Sequence, residues 1–418
     1  MRKRVNYQSI NLNTKSSLNT QIISAYFKIT SNCMLNCPFC SQGINPKKTI
    51  ALDDAKIVLK KLKRLGVKSV TYTGGEPLLY KNLYELLKYG KSIGFEQIIV
   101  SNGLMLNKIN PVIFKYIDAI GISLHGNELI HDKIVNSKGM FKKVVDNIDY
   151  IIGNYKDIIV NINCTLTEKN MDYNNMEFLT NFAKRRNIRL CFGRLNYIGL
   201  SKNSDIIDAN RYLSNIYRLK NLYDKIEISN CISLCNQDEK YNHMNHSCGA
   251  GQTMIAIEPN GDVKICASSS VVVANILKGS PNKIIKSKKL KKFRQLQWIP
   301  MSCSVCKKFA LCKGGCHTEV SGEFYKDNCD ALLSKKYEDT WNKIKNKKLK
   351  FKNISITKQK VNKFILIKKP ISVTNKMGIK IIKELDGTNT LFEIKSKHDK
   401  ITNCKEFLVL LYIEGVLM

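Results

Sequence analysis

Residues 25–40 read AYFKITSNCMLNCPFC, a strand-like apolar run that leads directly into three closely spaced cysteines. Cys33, Cys37 and Cys40 have the spacing C-x3-C-x2-C on one short loop. Three thiolates on one loop can hold three irons of a 4Fe-4S cube and leave the fourth iron open for a small-molecule ligand. A structural zinc site, the alternative, would want a fourth ligand nearby. The loop therefore predicts an iron-sulfur cluster with one open iron.

The pattern of a short apolar strand followed by an amphipathic helix continues from this loop to residue 196. Strand-like runs occupy residues 25–30, 67–74, 95–102, 119–126, 157–167 and 188–196. Helical patterns such as ALDDAKIVLKKLKRLG and NLYELLKYGKSIG lie between them, each closing on glycine. This alternation predicts an α/β fold with a partial (β/α)6 TIM-like barrel, whose chemistry lies at the C-terminal ends of the strands.

A second motif follows the second strand. Gly74-Gly75-Glu76-Pro77 lies there, and the three-cysteine loop carries Phe39 before its last cysteine. Together these features resemble the radical S-adenosylmethionine (SAM) superfamily. The resemblance implies SAM as cofactor, a site for it at Phe39 and this motif, and glycines that let the backbone approach its methionine amino group.

Polar residues also end the third and fourth strands. The resemblance implies that Ser101, Asn102 and Ser123 contact the ribose and carboxylate of the cofactor. His125 shares strand parity with Ser123 and is expected to face the barrel interior. It stands where the family typically has an aspartate, and a structural histidine is the favoured interpretation, with a role in the site as the alternative.

Two cysteines lie inside the fifth and sixth strands. Cys164 shares parity with aliphatic residues, which predicts a buried and inert thiol on the helix-packed side. Cys191 shares parity with Arg189 and Gly193, which predicts an inward position. We therefore predict Cys191 as a catalytic residue, acting as a hydrogen-atom donor or as a thiol that meets the substrate.

A second group of cysteines begins near residue 248. It contains C-x12-G-x4-C and then C-x2-C-x5-C-x3-C with a further cysteine, namely Cys248, Cys266, Cys303, Cys306, Cys312, Cys316 and Cys329. Two zinc sites are the physical alternative, because thiolates suit either metal. The spacing closely resembles the SPASM domain, a C-terminal extension of radical SAM enzymes that mature peptides, which carries two auxiliary 4Fe-4S clusters.

The resemblance implies an interleaved set of ligands. One cluster would be held by Cys303, Cys306, Cys312 and Cys329. The other would be held by Cys248, Cys266 and Cys316, with Cys235 favoured as the fourth ligand. Cys231, His246 and an open iron that binds a substrate thiolate are the alternatives.

A Lys-rich stretch follows residue 335, then strand-like FILI and two helical patterns around the turn Asp386-Gly387. This part is similar to the small winged-helix domain that binds leader peptides in peptide-modifying systems; a helical cap on the SPASM domain is the alternative. The expected domains are an N-terminal tail at 1–22, the radical SAM barrel at 23–228, the SPASM domain at 229–334, and a basic linker helix with the winged-helix-like α+β domain at 335–418.

Composition restricts the location and the partners. The 418 residues are 44% hydrophobic, but no apolar run approaches the roughly 20 residues of a membrane span and no signal-peptide pattern is present. A cytoplasmic protein without a membrane partner is expected. The net charge of +34 fits a solvated Lys-rich surface or attraction of an acidic peptide. Nucleic acid is disfavoured because no binding signature accompanies the charge.

The resemblance implies a function. The three-cysteine cluster would reduce SAM to give a 5′-deoxyadenosyl radical, and two auxiliary clusters would accept an electron from the substrate. The expected enzyme forms a thioether or carbon-carbon crosslink in a ribosomally made precursor peptide with a leader, using an external electron donor such as flavodoxin or ferredoxin. Peptide epimerisation, formylglycine formation on a sulfatase and a non-enzymatic leader-binding scaffold are the alternatives.

Overall fold

A computed structural model describes residues 21–41, 48–195, 207–229, 231–234, 237–244, 246–295, 312–320, 340–350, 356–361, 364–367, 372–374, 381–398, 404–413 and 417. The chain divides into two compact units. The first unit comprises Met1–Asn230 and Gly249–Arg294, and the second comprises Cys231–Cys248 and Gln295–Met418.

The described part of the first unit contains one sheet of ten strands. They are β1 Ser24–Thr30, β2 Ser69–Gly74, β3 Glu96–Ser101, β4 Ala119–Ser123, β5 Ile159–Leu166, β6 Arg189–Arg194, β7 Ile226–Ile228, β8 Met254–Ile257, β9 Asp262–Lys264 and β10 Val272–Asn275. The strand order is β10-β9-β8-β1-β2-β3-β4-β5-β6-β7. Strands β1 to β7 pair in sequence order and all in parallel. This arrangement confirms the predicted α/β fold built from parallel βα units.

Helices of the first unit follow the strands. They are α1 Leu52–Arg64, α2 Leu83–Ser92, α3 Glu128–Val135, α4 Met140–Asn154, α5 Tyr173–Arg185, α6 Ala209–Lys220, α7 Asn282–Ile285 and α8 Lys288–Arg294. In α1, Asp53 and Asp54 lie in the first turn and Arg64 in the last. This charge order favours the helix because it opposes the helix dipole.

The two faces of the sheet have different roles. The Tyr72 hydroxyl donates to Gln97 Oε1 at 2.7 Å, and Gln97 Nε2 donates to the backbone oxygen of Leu87 in α2 at 2.8 Å. These side chains therefore face the helices. Because side chains alternate along a strand, the residues between them face the opposite side, which we call the inner face.

Strands β8, β9 and β10 extend the sheet beyond β1. Strand β8 pairs in parallel with β1, aligning Phe27 with Ile257, while β9 and β10 continue antiparallel. Just after β8, Glu258 lies 3.5 Å from the buried ammonium of Lys28 and 2.7 Å from that of Lys264. Residues 249–294 therefore belong to the same compact unit as the parallel strands.

The second unit has a small sheet and a core of its own. Its elements include α9 His317–Val320, β11 Ile356–Val361, β12 Phe364–Ile367, β13 Ser372–Thr374, α10 Leu391–Lys397 and α11 Cys404–Ile413. Strands β11, β12 and β13 pair antiparallel in that order. A capping box between Thr390 and Glu393 begins α10. The buried core residues include Trp341, Ile344, Ile381, Leu391, Ile394, Leu408 and Leu411.

Helix length and hydropathy bear on membrane insertion. Within the described residues, no helix is both long and apolar enough to cross a bilayer.

Candidate cofactor and cluster site

The predicted site residues of the first four strands lie at one edge of the sheet. The cysteine loop follows β1, the Gly74-Gly75-Glu76-Pro77 motif follows β2, and Ser101, Asn102 and Ser123 lie at the ends of β3 and β4. Parallel strands put their C-terminal ends at the same edge. The fold thus brings these residues together from distant parts of the chain.

The glycine motif is hydrogen-bonded to the start of the cysteine loop. The N–H of Gly75 donates to the Thr30 oxygen at 2.8 Å, and the N–H of Glu76 donates to the Asn32 oxygen at 2.7 Å. A Cβ on Gly75 would lie 2.3 Å from the Asn32 oxygen, and one on Gly74, where φ is +150°, would lie 2.0 Å from the Thr30 oxygen. Glycine is therefore required because two backbones meet there.

Glu76 is buried and holds the end of β3. Its carboxylate accepts hydrogen bonds from the Leu78 N–H at 3.1 Å, the Ser101 hydroxyl at 2.9 Å and the Asn102 N–H at 2.8 Å. Burial raises the pKa of Glu76 to about 7, although these three hydrogen bonds act in the opposite direction. Pro77 begins the short 3-10 turn that Glu76 caps. In this structure both Glu76 and the Ser101 hydroxyl are therefore used to join the loops.

The three cysteines of the loop are electrostatic neighbours. Burial, followed by the neighbouring thiols of Cys40 and Cys33, raises the pKa of Cys37 to about 12. Burial also raises the pKa of Cys33, against a hydrogen bond from the Leu35 N–H to its sulfur at 3.4 Å. Asn102 Nδ2 lies 3.9 Å from the same sulfur. A metal would hold such thiols as thiolates.

The arrangement of donors bears on the kind of metal centre. Among the described residues, no three Cys, His, Asp or Glu side chains converge as they would around a single ion. A 4Fe-4S cube bonds each thiolate to a different iron, so its thiolates lie at separate corners. Three neighbouring thiols on a loop that do not share one point are compatible with a cube of this kind.

Phe39 of the cysteine loop contacts a histidine at the end of β4. The rings of Phe39 and His125 are edge to face, with centroids 5.0 Å apart and planes at 83°. His125 stacks in turn on His131 of α3 at 5.6 Å. Burial lowers the pKa of His125 to about 3 and that of His131 to about 4. Both rings are therefore neutral near pH 7.

His131 is expected to affect how stability depends on pH. Its pKa falls from 6.5 to about 4 on folding because of burial, so the unfolded chain binds the proton first as the pH falls. Above pH 6.5 the ring is neutral in both the folded and the unfolded chain, and His131 costs no stability. Between pH 6.5 and about pH 4 this one ring lowers the free energy of unfolding by about 1.4 kcal/mol for each pH unit. A His131→Leu variant should therefore lose stability less steeply between pH 6.5 and about pH 5 in denaturant unfolding. Equal slopes for the two proteins would contradict the burial effect.

The two strand cysteines lie on opposite faces of the sheet. Cys164 is aligned with Phe192, is 2% exposed and faces the helices. Cys191 is half-buried on the inner face, next to Asn163 of β5 and Glu227 of β7 in register. Burial, and after it the charge of Glu227, raises the pKa of the Cys191 thiol to about 12, against a hydrogen bond with Ser229 that acts in the opposite direction.

The second group of cysteines is described in part. Cys235, Cys303, Cys306 and Cys329 lie outside the described residues. Cys266 follows β9 in the first unit, and Cys248 lies in the second.

Cys312 and Cys316 lie on one loop of the second unit, just before α9. The N–H of Leu234 donates to the Cys312 sulfur at 3.4 Å, and the Ser233 hydroxyl donates to the Gly314 oxygen at 3.4 Å. The segment 231–234, which leads to Cys235, therefore lies against this loop.

Sequence reasoning did not find His131 or the polar residues that surround His125. Asn170 and Asn175 each donate a side-chain N–H to the His125 oxygen, at 3.0 and 3.3 Å. Both follow β5, more than 40 residues along the chain. His131 lies in α3 and Asn175 in α5, so their approach to His125 depends on the fold and leaves no signal in the sequence.

Two sequence profiles match the chain. Residues 27–179 match the Radical SAM superfamily, and residues 248–317 match SPASM, described as an iron-sulfur cluster-binding domain. The first match contains the three-cysteine loop and the glycine motif, and the second begins at Cys248.

Two curated relatives represent the range of similar proteins. The chain is 28% identical to a probable GTP 3′,8-cyclase of Sulfurisphaera tokodaii, over 48% of this chain and 64% of that protein. It is 25% identical to the antilisterial bacteriocin subtilosin biosynthesis protein AlbA of Bacillus subtilis, over 76% of this chain and 72% of that protein. The match to the cyclase thus spans less than two-thirds of that relative.

Solved structures agree on the fold. Streptococcus suis SuiB bound to S-adenosylmethionine superposes with a TM-score of 0.60 at 16% identity, covering 74% of this chain and 76% of that one. SuiB bound to the precursor peptide SuiA gives a TM-score of 0.58 at 17% identity and covers 74% of each chain. At these identities the likeness concerns the fold alone.

Proposed function

Because the chain is a radical SAM enzyme that carries a SPASM iron-sulfur domain, we propose that it modifies a ribosomally made precursor peptide. We further propose that the product is a thioether between a cysteine sulfur and a carbon, or a carbon-carbon crosslink. The observation that carries this proposal is the presence of two cysteine systems in one chain, a loop joined to Gly75 and Glu76 and a separate SPASM run.

The extent of the matches favours a peptide over a nucleotide. The match to the bacteriocin biosynthesis protein covers 76% of this chain, whereas the match to the GTP cyclase covers 48%. Strands β1 to β7 and the helices between them end before residue 230. A match over 76% of the chain must therefore extend beyond them. A SPASM domain also supplies auxiliary clusters, which suit a reaction that removes two electrons from the substrate.

Each part of the site has a proposed role. Cys33, Cys37 and Cys40 would hold one 4Fe-4S cluster, and the residues around it would bind SAM, namely Phe39, Gly74, Gly75, Glu76, Pro77, Ser101, Asn102 and Ser123. When bound, the cluster and SAM supply a radical that removes a hydrogen atom from carbon. The loops of the chain orient the substrate against it and exclude water.

The auxiliary clusters are proposed from the SPASM cysteines. Cys303, Cys306, Cys312 and Cys329 would hold one cluster. Cys248, Cys266 and Cys316 would hold the other, with Cys235 as fourth ligand. Residues 231–234, which come directly before Cys235, contact the loop that carries Cys312 and Cys316. This contact supports a ligand from the segment or from Cys235 beside it. An external flavodoxin or ferredoxin would supply the electron that starts each turnover.

A role in binding the leader peptide is proposed for the C-terminal part of the chain, residues 335–418. Strands β11 and β13 are the outer strands of its three-stranded antiparallel sheet. An outer strand offers backbone N–H and C=O groups to an extended peptide, which can pair with it as a further strand.

Peptide epimerisation is the second candidate, and the position of Cys191 favours it. A thiol on the inner face, hydrogen-bonded with Ser229 and half-buried, is available to give a hydrogen atom to a substrate carbon radical. Epimerisation would then need Cys191, whereas crosslinking would not.

The function is tested by the mass of a candidate precursor peptide encoded beside the gene, after anaerobic co-expression with the enzyme. We expect a loss of about two hydrogens per crosslink, by the electron count of an oxidative bond. Alkylation of free thiols then separates a thioether, which removes one reactive thiol, from a carbon-carbon bond. Unchanged mass with deuterium uptake from heavy water, absent in a Cys191→Ala variant, would establish epimerisation instead. A peptide with neither change would contradict the proposal.

A further inference from the structure

We propose that His125 is a positioning residue for the three-cysteine loop, holding Phe39 and therefore the adjacent Cys40. The proposal rests on membership of the radical SAM superfamily and not on the identity of the substrate. It can be tested without any peptide.

The first half of the loop is anchored by its backbone. Gly75 and Glu76 donate hydrogen bonds to the backbone oxygens of Thr30 and Asn32. Asn102 Nδ2 lies 3.0 Å from the sulfur of Met34. These contacts determine where Cys33 lies, because it stands between the bonded residues.

The second half of the loop is anchored differently. Between described residues, the hydrogen bonds of Leu35 and Cys40 stay inside the loop, to Cys33 and Cys37. The aromatic contact that joins this half to the sheet is that of Phe39 with His125, at 5.0 Å and 83°. Edge-to-face rings at this separation attract each other through their quadrupoles.

His125 itself is held from several directions. Its ring Nδ1 accepts a hydrogen bond from the backbone N–H of Thr165 at 3.2 Å, and its backbone N–H donates to Nδ1 of His131 at 3.2 Å. Its oxygen accepts from Asn170 and Asn175. The residue is 4% exposed, and turning the ring away would break its hydrogen bond from the Thr165 N–H and its stacking on His131.

The fixed ring of His125 restricts where Cys40 can lie. Phe39 packs against it, and Cys40 is the next residue in the chain. If the contact were lost, the backbone hydrogen bond that remains for this half between described residues, from the Cys40 N–H to the Cys37 oxygen, would lie within the loop. The thiol of Cys40 would then dissociate from an iron more readily, since the chain would no longer return it to the same place.

The proposal is tested on the anaerobically reconstituted holoenzyme with four single variants and with the double variant that combines His125→Ala and Phe39→Leu. His125→Ala and Phe39→Leu each remove the ring contact, and His125→Phe keeps an aromatic ring without the nitrogen. Phe114→Leu is the matched control, because Phe114 is 3% exposed and pairs with Tyr155 at 4.2 Å near the opposite edge of the sheet. The measurements are the rate of iron release to a chelator and the electron paramagnetic resonance spectrum of the reduced enzyme with and without SAM.

We expect His125→Ala and Phe39→Leu to lose about four irons roughly three- to tenfold faster than the wild type. Their SAM-dependent spectra should broaden, and the double variant should be no faster than either single one. Phe114→Leu should behave like the wild type. His125→Phe keeps the ring but loses the hydrogen bond from the Thr165 N–H, so it should release iron more slowly than His125→Ala. The proposal is overturned if His125→Ala keeps the wild-type rate, if Phe114→Leu accelerates release equally, or if His125→Phe is as labile as His125→Ala. Should His125→Ala fail to fold, Phe39→Leu and His125→Phe still decide the outcome.

Discussion

A variant with Cys33, Cys37 and Cys40 all changed to Ala is expected to cleave no SAM and to keep about eight of about twelve irons. The three thiols are the proposed ligands of the cluster that binds SAM, whereas the auxiliary clusters would be held elsewhere in the chain. The fold should persist because these side chains are exposed or half-buried and lie outside the sheet. Iron content and the anaerobic formation of 5′-deoxyadenosine are the two measurements.

Cys164→Ala is the matched control for the triple variant. Cys164 faces the helices, 2% exposed, so its removal should cost about 1 kcal/mol of stability and leave both iron content and cleavage unchanged. Cleavage by the triple variant, or about twelve irons retained in it, would refute the assignment of the loop.

Much of the fold was predictable because its determinants are local. The six predicted strands lie within two or three residues of the observed β1 to β6, and side-chain parity along β5 places Cys164 on the helix face. Buried and partly exposed residues alternate along β6 and at the end of β5, so the period of these strands shows in the sequence. Their common direction then predicts which loops meet.

The extension of the sheet could not be predicted in this way. Strand β8 pairs with β1 about 230 residues earlier in the chain, and its short run MIAI has no feature that selects one edge strand over another. Its pairing depends on the complete sheet being present. The ion pairs of Glu258 with Lys28 and Lys264 follow from that pairing.

The candidate site was predictable in its motifs but not in its contacts. Cysteine spacing identifies the loop, but the partners of Glu76 and His125 come from other strands. The glycines were expected to give room to the cofactor. In the structure they also give room to the backbone of Asn32 and Thr30, and sequence alone does not contain this close approach.

Gly75→Ala is expected to show how much the enzyme depends on this approach. The added Cβ would lie 2.3 and 2.5 Å from the Asn32 oxygen and carbon and 2.6 Å from the Ser31 oxygen. All three are backbone atoms, so the start of the cysteine loop must move, at a cost of about 3 kcal/mol. A shift on the order of 1 Å next to Cys33 should lower the rate of SAM cleavage about 100-fold.

The matched control for this variant is Gly153→Ala, in the last turn of α4. A Cβ at Gly153 meets no atom within 4 Å, and alanine there should stabilise the helix by about 0.5–1 kcal/mol. Anaerobic cleavage rates and denaturant unfolding of both variants separate local displacement from general instability. If Gly75→Ala cleaves SAM at the wild-type rate, the position of the cysteine loop does not depend on glycine at residue 75. The opposite result, a rate lost in Gly75→Ala alone, would show that SAM cleavage requires glycine at this meeting point of the two loops.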